Sequence, residues 1–324
     1  MIEMSRLGAA NLMTLEWHSR AALTGFESHQ TWVLALLNQR LHFDGAVWGL
    51  QANVAAAGRR IGATHLHALP SGAMSEFEHA RGSELISALS GHVVCHSIEQ
   101  LPNYIGDRTT LDWHSRQFGM PHSICVLWPD PRTAGRQFVM LTRKTAAFNS
   151  AEVDEFGFVA PHMMLSYASS RALFLSRPAG NERRVAAAAV GIFDRHGLLH
   201  DQQPSFVSTL RREWADWPGQ RLPEPLSELA ARRAGSSWRF LGAQVRADFA
   251  PLADLYIVTA RPRHSADALT PREGEVAESY AAGKNFREIA TALQLSPATV
   301  RSHLRNVFGK LQIRNKSQLA AVLR

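Results

Sequence analysis

The stretch LTPREGEVAESYAAGKNFREIATALQLSPATVRSHLRNVFGKLQIRNKSQLAAVLR, residues 269–324, decides the fold of the C-terminal part of this chain. It contains four short helical patterns. Thr270, Pro271 and Glu273 predict the start of the first helix, because a threonine cap and a glutamate three residues later satisfy free backbone N–H groups, and proline suits the first helical position. Gly283 ends that helix, since a left-handed closing residue costs least without a Cβ. We therefore predict an all-α domain.

The second and third patterns lie close together in the sequence. Asn285 and Glu288 repeat the capping box at the start of the second helix, and Ser296 caps a third helix shortly afterwards. The apolar residues of the third helix are spaced by four, three and four positions: Val300, Leu304, Val307 and Leu311. Two helices joined by so short a turn, the second of them basic outside its apolar stripe, predict a helix-turn-helix motif.

The charges of residues 267–324 are distributed unevenly. The segment has nine Lys or Arg and five Asp or Glu, and all five acids lie at or before Glu288. From Ser296 onwards there are six basic residues and no acidic one. A helix that faces only solvent normally mixes the two signs, so this distribution predicts a surface that binds the phosphates of a nucleic acid.

On these residues the segment resembles the C-terminal DNA-binding domain of LuxR-type regulators. The matching residues run in order across it: Leu269 to Glu273, Glu275-Val276, Gly283, Glu288 to Ala290, Leu295-Ser296, Thr299 to Leu304, Lys310-Leu311 and Ser317-Gln318. The resemblance implies that Arg301, Ser302 and Arg305 face base edges and phosphates in the major groove, whereas Val300 and His303 pack inward. Arg301 stands where the family commonly has Lys, and it keeps the charge while adding bidentate reach to guanine.

The full set of predicted DNA-contacting residues is Ser296, Thr299, Arg301, Ser302, Arg305, Lys310, Arg314 and Lys316. We expect double-stranded DNA as the partner. We also expect a homodimer that binds a two-fold symmetric site.

The composition of the whole chain limits the number of domains, the extent of nucleic-acid binding, the use of disulfides and the cellular location. With 324 residues it is long enough for two or three domains. The net charge is +7, of which residues 267–324 supply +4, so we expect nucleic-acid binding to be confined to the end of the chain. The two cysteines, Cys95 and Cys125, are too few for a disulfide framework. Without an apolar run of membrane-spanning length or a signal peptide, the sequence predicts a cytoplasmic protein.

The first 176 residues alternate helical and strand patterns. We predict a helix over Thr24–Arg40, strands at His42–Leu50 and His65–Leu69, helices near 75–82 and 84–89, strands over 119–128 and 136–142, and a long helix over Ser150–Ser176 capped by Ser150. This order of elements resembles a GAF-type sensory domain, which we place at residues 1–176.

A second sensory pattern follows a break at residues 177–181. Predicted strands at 185–193 and 198–200, helices at 204–214 and 226–233, and strands at 237–247 and 252–259 resemble a PAS-like fold, which we place at 182–262. Residues 261–266 read as a polar linker into the domain at 266–324. The predicted fold class is therefore α+β sensory domains, GAF-like and then PAS-like, followed by an all-α four-helix helix-turn-helix domain.

Aromatic residues of the first domain are the candidate ligand contacts. Trp and Tyr suit pocket walls because their polar atoms need partners. We predict ligand contacts at Trp48, Tyr104, Trp113 and Trp128. The acyl-homoserine-lactone domain of quorum-sensing regulators has a related layout, but its Asp-Pro pattern is missing here, since Asp107 precedes Arg108 and Asp112 precedes Trp113.

The sequence lacks the motifs of other functional classes. No Walker A run or Gly-x-Ser-x-Gly motif is present, so we expect no enzyme and no cofactor. The fifteen histidines show no zinc-type spacing, and we expect no metal site. Two functions remain. One is a regulator whose front domains respond to a small cytosolic ligand, and the other is a DNA-binding regulator whose front domains serve only dimerisation or protein-partner binding.

Overall fold

The described part of the computed structural model comprises residues 2–23, 25–54, 58–69, 96–97, 119, 121–133, 135–176, 188–194, 196–233, 235–252 and 255–323. The predicted ligand contacts Tyr104 and Trp113 lie outside these residues, and so do the helices predicted near 75–82 and 84–89. The chain divides into two units. One comprises Met1–Arg239 and Ala247–Ala260, and the other comprises Phe240–Arg246 and Arg261–Arg324.

The first unit begins with two helices and a five-stranded sheet. The elements are α1 (Ile2–Arg20), α2 (Phe26–Leu41), β1 (Gly45–Val54), β2 (Gly58–His67), β3 (His96–Ser97), β4 (His122–Pro129), β5 (Arg136–Arg143) and α3 (Ser150–Ser176). The strands are antiparallel in the order β2-β1-β5-β4-β3. The bounds of α3 are those predicted, but Asn149 caps it, since Asn149 Oδ1 accepts the N–H of Glu152 and the Glu152 carboxylate accepts the N–H of Asn149.

A second five-stranded sheet follows α3. Its elements are β6 (Ala189–Asp194), β7 (Leu199–Gln202), α4 (Ser205–Leu210), α5 (Glu224–Arg232), β8 (Trp238–Leu241), β9 (Val245–Leu252) and β10 (Leu255–Pro262). The strand order is β7-β6-β10-β9-β8. Counted from its own first strand, each sheet therefore has the order second, first, fifth, fourth, third.

Both sheets contribute to one apolar core in the first unit. Burial of side chains such as Trp48, Phe156 and Met163 removes apolar surface from water, at about 25 cal/mol per Å². Val190 and Ile192 of β6 belong to the same cluster of buried residues. The long helix α3 supplies many members of this cluster, because its sequence is apolar on several sides.

Two predictions of local structure between residues 237 and 266 are wrong. The strand expected over 237–247 is divided into β8 and β9 by a turn, in which the N–H of Gly242 donates to the carbonyl of Val245. The expected polar linker is ordered. Arg261 and Pro262 belong to β10, and a short 3-10 helix spans Ser265–Ala268. Ion pairs with residues distant in the sequence account for this order.

The second unit carries the four helices predicted at the C-terminal end. They are α6 (Pro271–Ala281), α7 (Phe286–Leu293), α8 (Pro297–Leu311) and α9 (Lys316–Leu323). The front region therefore combines helices with two sheets, and the end of the chain is all-α, as the sequence indicates.

Candidate nucleic-acid interface

The three helix starts predicted from the sequence have the expected caps. The hydroxyl of Thr270 accepts the N–H of Glu273, whose carboxylate accepts the N–H of Thr270. Asn285 and Glu288 form the same reciprocal pair at α7. Ser296 Oγ accepts the N–H of Thr299 at 3.0 Å and caps α8. These contacts satisfy backbone donors that the helix itself cannot satisfy.

The apolar stripe of α8 is the core of the helical unit. Val300, Leu304, Val307 and Leu311 are all buried. Val300 and Leu304 pack with Val276 and Ile289, and Val307 and Leu311 pack with Ala277 and Leu319. The stripe thus fixes which side of α8 faces the protein and leaves the opposite side to solvent.

The basic residues of α8 lie on that opposite side. Arg301, Ser302 and Arg305 are exposed, His303 is partly buried, and Val300 is fully buried. Arg301 and Arg305 are one turn apart and therefore neighbours on the helix surface. Arg314 is also exposed, and Lys316 is partly exposed at the start of α9. Ser296 is exposed, whereas Thr299 is partly buried and its hydroxyl lies 2.8 Å from that of Ser296.

Two of these cationic side chains lie over the rings of an aromatic pair. The rings of Tyr280 in α6 and Phe286 in α7 are stacked, with centroids 5.7 Å apart. Arg301 Cζ lies 5.7 Å from the centroid of Phe286, and Lys316 Nζ lies 4.8 Å from that of Tyr280. Cation–π attraction limits the freedom of both side chains before any ligand binds.

Lys310 has a partner within the domain. Its Nζ lies 2.6 Å from Glu273 Oε2, and Glu273 is only 4% exposed. Burial by itself would raise the pKa of Glu273, but the hydrogen bonds from Lys310 and from Thr270 outweigh burial and hold that pKa below its ordinary value. Lys310 thus connects α8 to the cap of α6.

Asp267 is a residue that the sequence analysis did not single out. Its carboxylate accepts hydrogen bonds from Arg246 at 2.8 Å, from Arg261 at 2.7 Å and from the backbone N–H of His264 at 2.8 Å. These donors outweigh burial and hold the pKa of Asp267 below its ordinary value. Asp267 therefore fixes the residues just before α6. The partner Arg246 is 21 positions away, so no local pattern reveals the contact.

The candidate ligand contacts differ in their surroundings. Trp48 is fully buried, and its Nε1 donates to Gln137 Oε1 at 3.1 Å. Its ring meets that of Tyr167 edge-on at 5.5 Å. Trp128 is partly buried at the end of β4 and packs against the core. Burial raises the pKa of Tyr167 to about 12.

A buried polar chain continues from Trp48 and was also missed from the sequence. Gln137 Nε2 donates to Asp130 Oδ2 at 2.8 Å, and Arg171 Nη2 donates to the same oxygen at 2.7 Å. Arg171 Nη1 donates to the carbonyl of His200 in β7 at 2.6 Å. One signal was present in the sequence, because Arg171 is the only Asp, Glu, Lys or Arg between Phe156 and Ser176.

Among the described residues, no group of three or more His, Cys, Asp or Glu is placed to hold a metal ion. None of their helices combines the length and the apolar character needed to cross a membrane.

Comparison with known proteins places the strongest similarity in the helical unit. Residues 267–323 match the family described as bacterial regulatory proteins, luxR family. The transcriptional regulatory protein UhpA of Escherichia coli (strain K12) is 48% identical over 54 residues, which cover 17% of this chain and 28% of UhpA. The crystal structure of Escherichia coli SdiA is similar over 98% of this chain and 95% of that chain, with a TM-score of 0.37 and 13% sequence identity.

The spore germination protein GerE of Bacillus subtilis (strain 168) is short enough for the match to cover most of it. It is 42% identical over 55 residues, which cover 17% of this chain and 74% of GerE. The resemblance that the C-terminal residues predict is confirmed by both the family match and this relative. The chain belongs to the luxR family of bacterial regulatory proteins.

Proposed function

We propose that this protein is a transcriptional regulator that binds duplex DNA through α8 and responds to a small molecule bound by its front region. The observation that carries the DNA-binding part is the one-sided chemistry of α8. One side is a buried apolar stripe, and the other exposes Arg301, Ser302 and Arg305, in a segment with no acid after Glu288. Such a surface complements phosphates and the acceptor groups of guanine in the major groove.

We propose graded roles for the eight predicted DNA contacts. Arg301, Ser302 and Arg305 contact base edges or phosphates in the major groove, because they are exposed on the outer side of α8. Arg314 and Lys316 bind phosphates beside it. Ser296 and Thr299 form the N-terminal cap of α8, where free N–H groups favour a phosphate. Lys310 contributes its charge while its ammonium group is bound to Glu273.

The DNA-binding part is tested with the full chain. Fluorescence anisotropy on duplex DNA should show binding that weakens as salt rises, with a slope near −0.9 for each phosphate contacted. The variant Arg301→Ala/Arg305→Ala should bind at least about tenfold more weakly, whereas the exposed lysine variant Lys284→Ala, outside α8, should bind like the wild type. Equal losses in both variants would contradict the assignment of α8.

For the front region we propose a GAF-like domain at residues 1–176 and a PAS-like domain at 182–262. The repeated strand order supports this, because both sheets have the order second, first, fifth, fourth, third. Trp48, Tyr104, Trp113 and Trp128 remain the proposed ligand contacts. The ligand class we propose is a small, largely apolar or aromatic compound, since indole rings offer apolar walls with one donor.

The sensory part is tested by ligand-induced stabilisation. A panel of small aromatic and aliphatic compounds is screened against the full chain for a rise in melting temperature and a change in DNA affinity, since a ligand can shift a two-state equilibrium only by its differential affinity. Trp128→Ala should abolish the response to a hit, whereas Trp214→Ala, another partly buried tryptophan, should retain it. A response that survives Trp128→Ala would exclude Trp128 as a ligand contact, and the absence of any hit would favour front domains that serve only association.

A further inference from the structure

A cavity of about 380 Å³ lies beside β7, an edge strand of the second sheet. The loop between β4 and β5 supplies one part of its wall with Arg132. Strand β7 contributes Leu199 and Gln202, α4 contributes Val207, and the segment after α4 contributes Pro218. The volume is in the range of pockets that bind small organic molecules.

A bulge in β7 brings two of these side chains to one face of the sheet. Gln202 pairs with Gly191 of β6, and Leu199 pairs with Phe193, so that His200 is the additional residue of the bulge. Gly191 and Phe193 are two positions apart and therefore point to the same face. Their partners Gln202 and Leu199 do so too, although three positions separate them in the sequence. The bulge thus places a polar and an apolar side chain in the wall of one cavity.

The side chain of Gln202 has an unused acceptor. Its Oε1 is buried and receives no hydrogen bond from the residues that the structure describes. A buried acceptor without a donor is costly, and native proteins satisfy nearly all such atoms. Because Gln202 also lines the cavity, a hydrogen-bond donor on a bound molecule would satisfy its Oε1.

Arg132 is the second polar group of the cavity and is held in place from two sides. Its Nε donates to Oδ2 of the buried Asp201 at 2.6 Å. Its backbone N–H donates to Oδ1 of Asp130 at 2.8 Å. Neither Nη1 nor Nη2 of Arg132 makes a hydrogen bond to the described residues. These two nitrogens can donate side by side to one carboxylate.

The charges of the cavity limit the class of molecule that it can bind. Arg132 is the only charged residue among the described residues that line it, so an anionic group is favoured beside it. An ammonium group would lack a counter-charge in the same cavity. The donor to Gln202 is therefore an uncharged hydroxyl. Leu199, Val207 and Pro218 offer apolar contacts to the rest of the molecule.

We propose that this cavity, the β7-edge site (Arg132, Leu199, Gln202, Val207 and Pro218), binds a small aliphatic hydroxy acid. The carboxylate accepts hydrogen bonds from Nη1 and Nη2 of Arg132, and the hydroxyl donates to Oε1 of Gln202. The aliphatic chain packs against the apolar residues of the site. None of these residues is among the aromatic ligand contacts proposed above, so the inference does not rest on them. The bound acid connects the loop of the first sheet to the second sheet.

Isothermal titration calorimetry of the full chain with 2-hydroxy-4-methylpentanoate tests the proposal. The dissociation constant should be below about 1 mM, a modest affinity for so small a molecule. Three analogues should each bind at least about tenfold more weakly. One is 4-methylpentanoate, which lacks the hydroxyl, and another is 4-methylpentane-1,2-diol, which lacks the carboxylate. The third is L-leucine, which has an ammonium group in place of the hydroxyl.

The variant Gln202→Leu tests the hydroxyl contact. It should bind the hydroxy acid at least about tenfold more weakly, because an apolar side chain cannot accept the hydroxyl. It should also bind 4-methylpentanoate at least as tightly as the hydroxy acid. Such a reversal of preference would not arise from a general loss of structure. The control is Gln39→Leu, at an exposed glutamine of α2, which should keep the preference of the wild type.

The variant Arg132→Lys tests the carboxylate contact. Lysine can keep the ion pair with Asp201 but lacks the two side-by-side donors, so the affinity for both acids should fall at least about tenfold. Arg40→Lys is the matched control. Nε of Arg40 also lies 2.6 Å from a carboxylate oxygen, that of Glu155, but Arg40 does not line the cavity. It should bind the hydroxy acid like the wild type.

Four outcomes would overturn the proposal. The first is a wild type that shows neither heat of binding nor a rise in melting temperature with millimolar 2-hydroxy-4-methylpentanoate. The second is binding that survives both Gln202→Leu and Arg132→Lys. The third is binding that is lost in Trp128→Ala and kept in Gln202→Leu, since the acid would then occupy the aromatic contacts. The last is a wild type that binds 4-methylpentanoate or L-leucine as tightly as the hydroxy acid.

Discussion

Arg171 of α3 and Asp130, the residue after β4, form an ion pair with both side chains buried, Nη2 of the arginine lying 2.7 Å from Oδ2 of the carboxylate. Asp201 of β7 lies 3.6 Å from Nε of the same guanidinium and is also paired with Arg132 at 2.6 Å. Burial by itself would raise the pKa of Asp130. The charge of Arg171 and the hydrogen bonds that the Asp130 carboxylate accepts outweigh burial and hold that pKa below its ordinary value. One buried cation thus links the first sheet, the long helix and the second sheet.

Replacing Arg171 by methionine should lower the free energy of unfolding by about 3–5 kcal/mol, because it leaves buried carboxylates without their cation. Urea unfolding followed by tryptophan fluorescence measures the loss. The control is Arg239→Met. Arg239 pairs with Asp248 at a similarly short distance of 2.6 Å, but both side chains are well exposed, so its replacement should cost no more than about 1 kcal/mol. Similar losses in the two variants would mean that the buried ion pair contributes no more to the free energy of unfolding than the exposed one.

The buried His29 should make the first unit sensitive to acid. Its Nε2 lies 3.0 Å from Ser166 Oγ, and burial, with a smaller contribution from the charge of His18, lowers its pKa to about 4. The unfolded chain therefore takes up a proton between about pH 6.5 and 4 while the folded chain does not. The stabilisation by neutral His29 is complete above about pH 6.5 and is lost as pH falls through this window.

The measurement is the free energy of unfolding at pH 7 and at pH 5. From the pKa values of the two states, the wild type should lose about 2 kcal/mol between these pH values through His29. The variant His29→Gln keeps a polar side chain but does not titrate, so its loss should be smaller by about that amount. Identical losses in the two proteins would mean that His29 titrates normally in the folded state.

The contact between Lys310 and Glu273 should stabilise the helical unit. Lys310→Met removes the donor while Glu273 stays buried, and a hydrogen bond to a charged group contributes about 1.5–3 kcal/mol. Since the pKa of Glu273 is lowered, this stabilisation should be present above the pKa of the unfolded carboxyl group and should fade as pH falls through the folded value. Circular dichroism during thermal unfolding checks this, with Lys284→Met, at an exposed lysine, as the control. A Lys310→Met protein with the same melting temperature as the Lys284→Met control would refute this prediction.

Local signals explain why the helical unit could be predicted almost residue by residue. Thr270, Asn285 and Ser296 cap the N–H groups of residues two or three positions later, so the sequence contains both partners of each contact. The apolar stripe of α8 is equally local, because a helix repeats every 3.6 residues. For the same reason, the four helices observed in this unit agree with the four helical patterns predicted.

Long-range contacts explain what the sequence did not reveal. The polar linker was expected because Arg261 to Ala266 looks hydrophilic, yet Asp267 binds Arg246 and Arg261 and orders this region. Trp48 was chosen for its amphipathic ring, and its indole N–H is bonded to Gln137, 89 positions away. Whether such a tryptophan lines a pocket or lies in the core depends on partners that adjacent residues do not specify.

Substitutions at Arg301 and Lys316 should separate base reading from phosphate binding on the proposed interface. If Arg301 reaches a guanine edge, Arg301→Ala should cost about 1–3 kcal/mol of affinity and relax base preference at that position. Arg301→Lys keeps the charge but loses the bidentate fork, so it should lose base preference more than total affinity. Lys316→Ala should weaken binding to all sequences alike and lower the salt slope by about one, because it removes one phosphate contact. Anisotropy titrations with a selected duplex and its single-base variants, each at several salt concentrations, distinguish these outcomes. Equal, sequence-independent losses for Arg301→Ala and Lys316→Ala would show that Arg301 contacts only phosphate, and base reading would then have to lie with Ser302 or Arg305.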